Sequence, residues 1–312
     1  MGVLMDFPRH APKSPVHTAR SVQVCCASLK QTPQKTALIT GGTRGIGYAI
    51  AKSLARDGYK GLVLGYNSDA KAAEHARQEL QDQYGATVFC VKGDVAQREV
   101  LQEMFGLLRE HFENRCTAFV HNAGLLAGFS SMSEFEGAPT LERTDTEKLL
   151  NPLDAELDSV EKNFEYYWRV YTLCFQLGLK QAMQCEGLRH VIGISAPGCN
   201  LSQSPRLWFD DRGQGKAGME FLVRVAAKAY TKRGINFNAI IPGNVLAGGT
   251  ILAYQSGVEM KSFYDNRLET TTGRWVDAEE IGDVVSFLCS KQGSAINGLS
   301  IPVDNGLHLF GG

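Results

Sequence analysis

The chain has 312 residues, with Lys+Arg 32 against Asp+Glu 33 and a formal net charge of -1. That balance argues against nucleic acid or an anionic membrane as a partner, and no apolar run is long enough to span a bilayer. The 8 cysteines show no metal-ligand spacing, so no metal is expected and they read as reduced, intracellular core thiols.

Residues 1–35 stand apart. They carry Arg9, Lys13, Arg20, Lys30 and Lys35 against the single acid Asp6, with frequent Pro, Ser and Thr and no apolar periodicity. This is the composition of an organellar transit segment and lacks the apolar core of a secretory signal. The stretch Val22-Gln23-Val24-Cys25-Cys26-Ala27 resembles a plastid processing site. A chloroplast location is expected, with mitochondrion or cytoplasm as alternatives; a disordered tail explains the same composition.

From residue 36 apolar strands alternate with amphipathic helices. Ala37-Leu38-Ile39 is the first strand and Tyr48–Ala55 the first helix. Gly61–Tyr66 is the second strand. Ala70–Tyr84 is a helix with Ala73, Ala76 and Leu80 on one side. Thr87–Val91 is the third strand. Val100–Phe112 is a helix with Leu101, Met104, Phe105, Leu108 and Phe112 at core spacing. Cys116–Val120 is the fourth strand. A long helix is expected near Val160–Cys185. His190–Ser195 is the fifth strand, Lys216–Tyr230 a helix and Ile235–Ile241 the sixth strand. Ala278–Leu288 is a late helix and Leu299–Val303 the last strand. Such alternation predicts an α/β fold: one domain over 36–312, a doubly wound parallel sheet of Rossmann type with right-handed crossovers.

The most specific stretch is Thr40-Gly41-Gly42-Thr43-Arg44-Gly45-Ile46-Gly47, between the first strand and the first helix. A strand, a glycine turn and a helix in that order make a dinucleotide site. Glycine lets the backbone turn tightly and approach a pyrophosphate, and the helix N-terminus offers N–H groups to that anion. The other motif residues also fall at C-terminal strand ends, where ligands bind in such sheets.

Taken in order, Thr40–Gly47, Asp94, Asn122-Ala123-Gly124, Lys216, Asn238 and Pro242-Gly243-Asn244-Val245 resemble the classical short-chain dehydrogenase/reductase family. Gly273–Ile281, Asn297-Gly298 and Val303–Gly306 fit the same pattern. The resemblance covers residues 36–306 and implies NAD or NADP binding, hydride transfer and a homo-oligomer. It implies that Gly41, Gly45 and Gly47 cradle the pyrophosphate, with Arg44 and Ile46 between them. It further implies that Asp94 binds the adenine amine beside Val95, and that Asn122, Ala123 and Gly124 pack near the adenosine ribose. Pro242, Gly243 and Val245 would flank the nicotinamide. Asp94 and Asn122 have a plainer alternative as turn caps.

Charge decides the expected cofactor. The second strand ends Leu64-Gly65-Tyr66-Asn67-Ser68, without an acid to repel a 2′-phosphate. Arg44 could pair with that phosphate, and Asn67 and Ser68 could donate to it. NADP(H) is therefore expected.

The family's active centre is Asn, Ser, Tyr and Lys, with the Tyr four residues before the Lys. Lys216 stands where the Lys belongs and would open its helix. Four residues before it is Arg212, whose guanidinium stays protonated and cannot act as an acid. Seven before it, the spacing of the enoyl reductases, is Phe209. The Ser position matches Ser195 or Ala196 depending on register, with Ala196 preferred. The Asn position falls near Tyr171-Thr172, and the Thr after the Pro-Gly pair matches Ala247, with Thr250 close by.

Two readings stay open. One is an atypical reductase of a small carbonyl or enoyl compound, in which Lys216, Ser195 or Tyr171 stabilises developing charge. An enolate can take its proton from water, so loss of the Tyr harms alkene reduction less than carbonyl reduction. The other is a non-catalytic NADP(H) binder acting as a sensor or structural partner. The segment 125–167 is about twice the length the family needs. It is either a lid over the pocket or a solvated insertion.

Overall fold

The computed structural model describes residues 35–124, 157–203, 210–247, 261, 265, 268–269 and 271–310. The leader to residue 34, residues 125–156 of the 125–167 insertion, Phe209 and Thr250 lie outside the described residues, while the end of the insertion is helical from Leu157. Arg212 is described in its backbone alone.

Runs rich in Val, Ile, Leu and Phe become the strands. They are β1 (Thr36–Thr40), β2 (Gly61–Tyr66), β3 (Thr87–Lys92), β4 (Ala118–His121), β5 (His190–Ile194), β6 (Asn236–Pro242) and β7 (Ser300–Val303). They form one sheet in the order β3-β2-β1-β4-β5-β6-β7. Every neighbouring pair is parallel. The expected doubly wound sheet is the one observed.

A parallel sheet needs cover on both faces, and consecutive strand residues divide between two cores accordingly. Ile39, Leu64, Val120, Ile192 and Ile240 pack with Ile50 and Leu54 of α1 (Gly45–Arg56) and Ile281 and Val285 of α7 (Ala278–Leu288). Leu38, Val63, Phe119, Val191 and Phe237 face the other way. There they meet Leu101 and Phe105 of α3 (Arg98–His111), Phe175 of α5 (Cys174–Ala182), and Met219 and Val223 of α6 (Asp210–Tyr230). Each such buried side chain contributes about 1.5–3 kcal/mol.

Local chemistry sets the helix ends. Asp69 caps α2 (Ala70–Tyr84) by accepting from the Ala72 N–H at 2.9 Å, and Gly85 ends it in the left-handed region at φ 60°. Asp277 and Glu280 form a capping box on α7. The N-terminus of α1 differs: Arg44 is its N-cap, no side-chain bond caps it, and its first turn holds no acid.

Two helices depart from expectation. The long helix near 160–185 is α4 (Leu157–Trp168) and α5, joined through a π-helical turn at Arg169–Leu173. The helix carrying Lys216 begins at Asp210, so Lys216 lies in its second turn and does not open it. Gly213 and Gly215 make this start look like a loop in sequence. Gly215 and Gly218 serve a close helix crossing instead. A Cβ on Gly215 would lie 2.8 Å from the Tyr167 carbonyl oxygen, and one on Gly218 would lie 2.6 Å from Thr172 Oγ1. None of the described helices is long and apolar enough to cross a membrane.

Candidate functional site

The sheet order reverses between β1 and β4, so the loops leaving these strands part and leave a crevice at the C-terminal edge. A cavity of ≈ 310 Å³ occupies it. One wall is Gly41, Arg44, Gly45 and Ile46. Asn67 and Ser68 follow from the end of β2, and Asp94 and Val95 from beyond β3. Asn122, Ala123 and Gly124 line it from the end of β4. Tyr171, Ser195, Lys216, Pro242, Gly243 and Val245 complete it. Of the residues expected to bind the cofactor or carry the chemistry, all but Gly47 line this cavity. A Cβ there would stand 2.0 Å from the Gly41 carbonyl oxygen and 2.5 Å from Asn122 Nδ2, so Gly47 lets α1 pack against the turn.

Main-chain geometry makes the glycine wall. Gly41 and Gly45 have φ of 64° and 53°, a region that side chains with a Cβ rarely enter. Asn122 stitches the turn to β4, its Nδ2 donating to the Gly41 carbonyl at 2.9 Å. Thr40 Oγ1 accepts the N–H groups of Asn122 and Ala123, each at 3.0 Å. That leaves its own proton for His121 Nδ1 at 2.9 Å. The imidazole proton is then on Nε2, which is buried. Burial, with Lys216 nearby, drops the His121 pKa to about 3, so the ring stays neutral.

The adenine side is partly self-satisfied. Asp94 Oδ1 accepts the Ala96 N–H at 2.9 Å, which is the turn-capping role, while Oδ2 accepts from the Tyr166 hydroxyl at 3.4 Å. Burial, then Asp94, raises that phenol to about 12. Asn67 and Ser68 are exposed at the rim, as is Arg44.

On the opposite wall Lys216 Nζ donates to the Ile194 and Ser195 carbonyls, both at 3.1 Å. It also stands 4.8 Å from the centre of the Tyr171 ring. The residue is half-buried, and burial lowers its pKa to about 8. Tyr171 sits in the π-turn, buried, with its ring edge against Gly124: a Cβ on Gly124 would lie 3.3 Å from the phenol oxygen. π-Turns recur at functional sites because the extra residue opens the helix wall. Thr172 faces elsewhere, its hydroxyl donating to the Gly215 carbonyl at 2.7 Å.

Ser195 is buried and its hydroxyl donates to Glu220 Oε1. Glu220, one turn beyond Lys216, also accepts from Asn200 Nδ2 at 3.0 Å and Ser300 Oγ at 2.6 Å. Three donors explain how this carboxylate can be buried. Ala196 lines the cavity beside Ser195 and carries no hydroxyl. Sequence reading gave no role to Glu220, nor to Tyr66, Asp69, Tyr166, Val170, Ile194 and Pro197, all but Glu220 in the cavity lining. Asp69 matters most among these. It is an acid just past the end of β2, and one of its carboxylate oxygens is taken by the cap of α2.

Residues 41–308 match the family model described as enoyl-(acyl carrier protein) reductase. The chain is 26% identical over 290 residues to 3beta-hydroxysteroid dehydrogenase 1 of Eggerthella lenta, covering 89% of this chain and 95% of that protein. It is 26% identical over 292 residues to the NADPH-dependent aldehyde reductase-like protein, chloroplastic, of Arabidopsis thaliana, covering 90% and 98%. The structure of L-sorbose reductase from Gluconobacter frateurii complexed with NADPH and L-sorbose is similar in fold. It gives a TM-score of 0.70 at 22% identity over 88% of this chain and 97% of that one. Motifs, sheet order and family match agree: the chain belongs to the short-chain dehydrogenase/reductase family of oxidoreductases.

Proposed function

We propose that the protein is an NADP(H)-dependent reductase of a carbonyl or enoyl compound whose proton chemistry departs from the family pattern. The observation that carries this reading is the single cavity holding both the glycine turn and Lys216. The uncapped N-terminus of α1 faces that cavity and fits a pyrophosphate, since it offers N–H groups and no competing carboxylate. Arg44 at the rim fits a 2′-phosphate by charge. Asp69 lies on the same rim and opposes it, its charge moderated by the N-terminus of α2.

The bound nicotinamide would supply the hydride. Lys216 would hold the cofactor ribose and keep positive charge near the substrate oxygen. The Tyr171 phenol, its ring beside that ammonium, would be the proton source. Ser195 would orient the wall through its carbonyl, because its hydroxyl is engaged by Glu220. An enoyl substrate suits this set best, as its enolate needs stabilisation more than an immediate proton. The basic leader and the chloroplastic name of the Arabidopsis relative support a plastid location. The family resemblance supports a homo-oligomer.

The engaged Ser195 hydroxyl and the Arg at position 212 favour a second reading, a silent NADP(H) binder. Fluorescence titration with NADPH and NADH, followed by NADPH oxidation against ketones, aldehydes and enoyl thioesters, separates the two. The reductase reading expects tighter NADPH binding and turnover on at least one enoyl or carbonyl class. Binding without turnover on any of them leaves the silent binder.

A further inference from the structure

Glu220 is the most deeply buried acid among the described residues, at 2% exposure, yet it does not line the cavity. Three donors converge on it: the Ser195 hydroxyl, Asn200 Nδ2 and the Ser300 hydroxyl. That matches an ionised carboxylate, which accepts and never donates. Ser195 follows the end of β5 and Ser300 begins β7, and β6 lies between those strands. The carboxylate therefore ties together chain segments that are not neighbours in the sheet. A buried charge is a poor source of stability, because an apolar side chain of similar size does as well or better. Its presence here points to a neighbour on which it acts.

We propose that Glu220 is a positioning residue for Lys216: it fixes the Ser195 carbonyl against the ammonium and supplies the charge that keeps the ammonium protonated. This role rests on Lys216 being the cation that the proposed reductase uses. Glu220 is four residues beyond Lys216 on α6, so the two side chains leave one face of the helix. Between them stands Ser195, held at every polar group. Its N–H donates to the Ile240 carbonyl at 2.8 Å, its hydroxyl donates to Glu220, and its carbonyl accepts from Lys216 Nζ at 3.1 Å. Releasing the hydroxyl frees the Ser195 peptide to turn, and the ammonium loses an acceptor.

The groups facing Lys216 come from four directions. The π-turn presents the Tyr171 ring at 4.8 Å, and the end of β4 presents His121, a neutral imidazole. Cys199 faces it from the segment after β5, and Glu220 from α6 itself. Burial lowers the Lys216 pKa to about 8, against Cys199 and Glu220, which raise it. Both the carboxylate's charge and the carbonyl it aims thus favour the ammonium.

The test follows the Lys216 Cε resonance across pH in the full chain labelled with 13C-lysine, without cofactor, the signal being assigned by its loss in Lys216→Met. Wild type should titrate at about 8. Glu220→Gln keeps the size of the side chain and removes its charge; it should lower the midpoint by roughly one unit, a tenfold loss of ammonium at fixed pH. Ser300→Ala slackens the same anchor from the side away from the cavity. It should give a smaller fall of the same sign, and it carries the test if Glu220→Gln does not fold. Where turnover is found, the alkaline fall in NADPH oxidation should move with the midpoint. Absence of turnover on every substrate strikes the reductase reading alone, because the titration needs neither substrate nor cofactor. A wild-type midpoint in every variant that folds overturns the proposal, even if Tm falls, and makes Glu220 a structural residue.

Discussion

The two walls of the cavity are built on different principles. The glycine wall is made of backbone: positive-φ glycines, an uncapped helix end and an Asn whose side chain donates to main-chain carbonyls. The Lys216 wall is made of side chains, among them Lys216, Tyr171 and Ser195. Backbone sites depend on a few glycines and are otherwise indifferent to sequence. Side-chain sites can be rebuilt by single substitutions. The difference teaches that a main-chain cradle and a side-chain wall can vary independently within one fold.

The strongest way to break the comparison is Gly47→Val. The added carbons collide with the Gly41 carbonyl, so we expect about 1–3 kcal/mol of lost stability and loss of NADPH binding. Urea melts and fluorescence titration measure both. A variant that binds NADPH normally would show that the glycine wall is not the cofactor wall.

Next is Lys216→Ala, expected to lower turnover by roughly 10²–10³-fold, read as NADPH oxidation. Because burial brings the Lys216 pKa down to about 8, the cation is present below that pH and lost above it. Wild-type activity should therefore fall as pH rises through about 8. A profile flat to pH 10 would remove the charge from the mechanism.

Tyr171→Phe keeps the ring over Lys216 and removes only the hydroxyl. We expect a fall in turnover of roughly 10²-fold with an unchanged Tm. Activity within twofold of wild type would make Tyr171 a packing residue and pass the proton to water. The smallest effect sharpens the first wall: Arg44→Ala should raise the NADPH dissociation constant about tenfold and leave NADH unchanged. An equal loss for both cofactors would mean that Arg44 meets the pyrophosphate and not the 2′-phosphate.

The first wall was legible in the sequence and much of the second was not. Thr40–Gly47 is contiguous, and its flanking strand and helix declare its geometry. Val120 and Ile192 announce buried parallel strands by the same local logic. Glu220 is silent in this sense. It sits in Met219-Glu220-Phe221-Leu222, where an acid reads as the wet side of a helix, and its partner Ser300 lies 80 residues away. The start of α6 was hidden because Gly213 and Gly215 look like a loop, whereas Gly215 and Gly218 are required by the crossing against Tyr167 and Thr172. Asp69 is disguised as the N-cap of α2, a role that explains an acid there without any cavity.

The π-turn at Arg169–Leu173 fits one more residue into the helix than α-geometry allows. Upstream of it, α4 is thereby swung by about 100° relative to an uninterrupted continuation of α5. That angular offset is what brings Tyr166 to Asp94 while Phe175 stays seated on Phe119. Trimming a single residue from the turn would leave both helices intact yet dial the tyrosines away from the crevice. The pocket's shape is thus recorded in the helix's phase as much as in the identity of its lining.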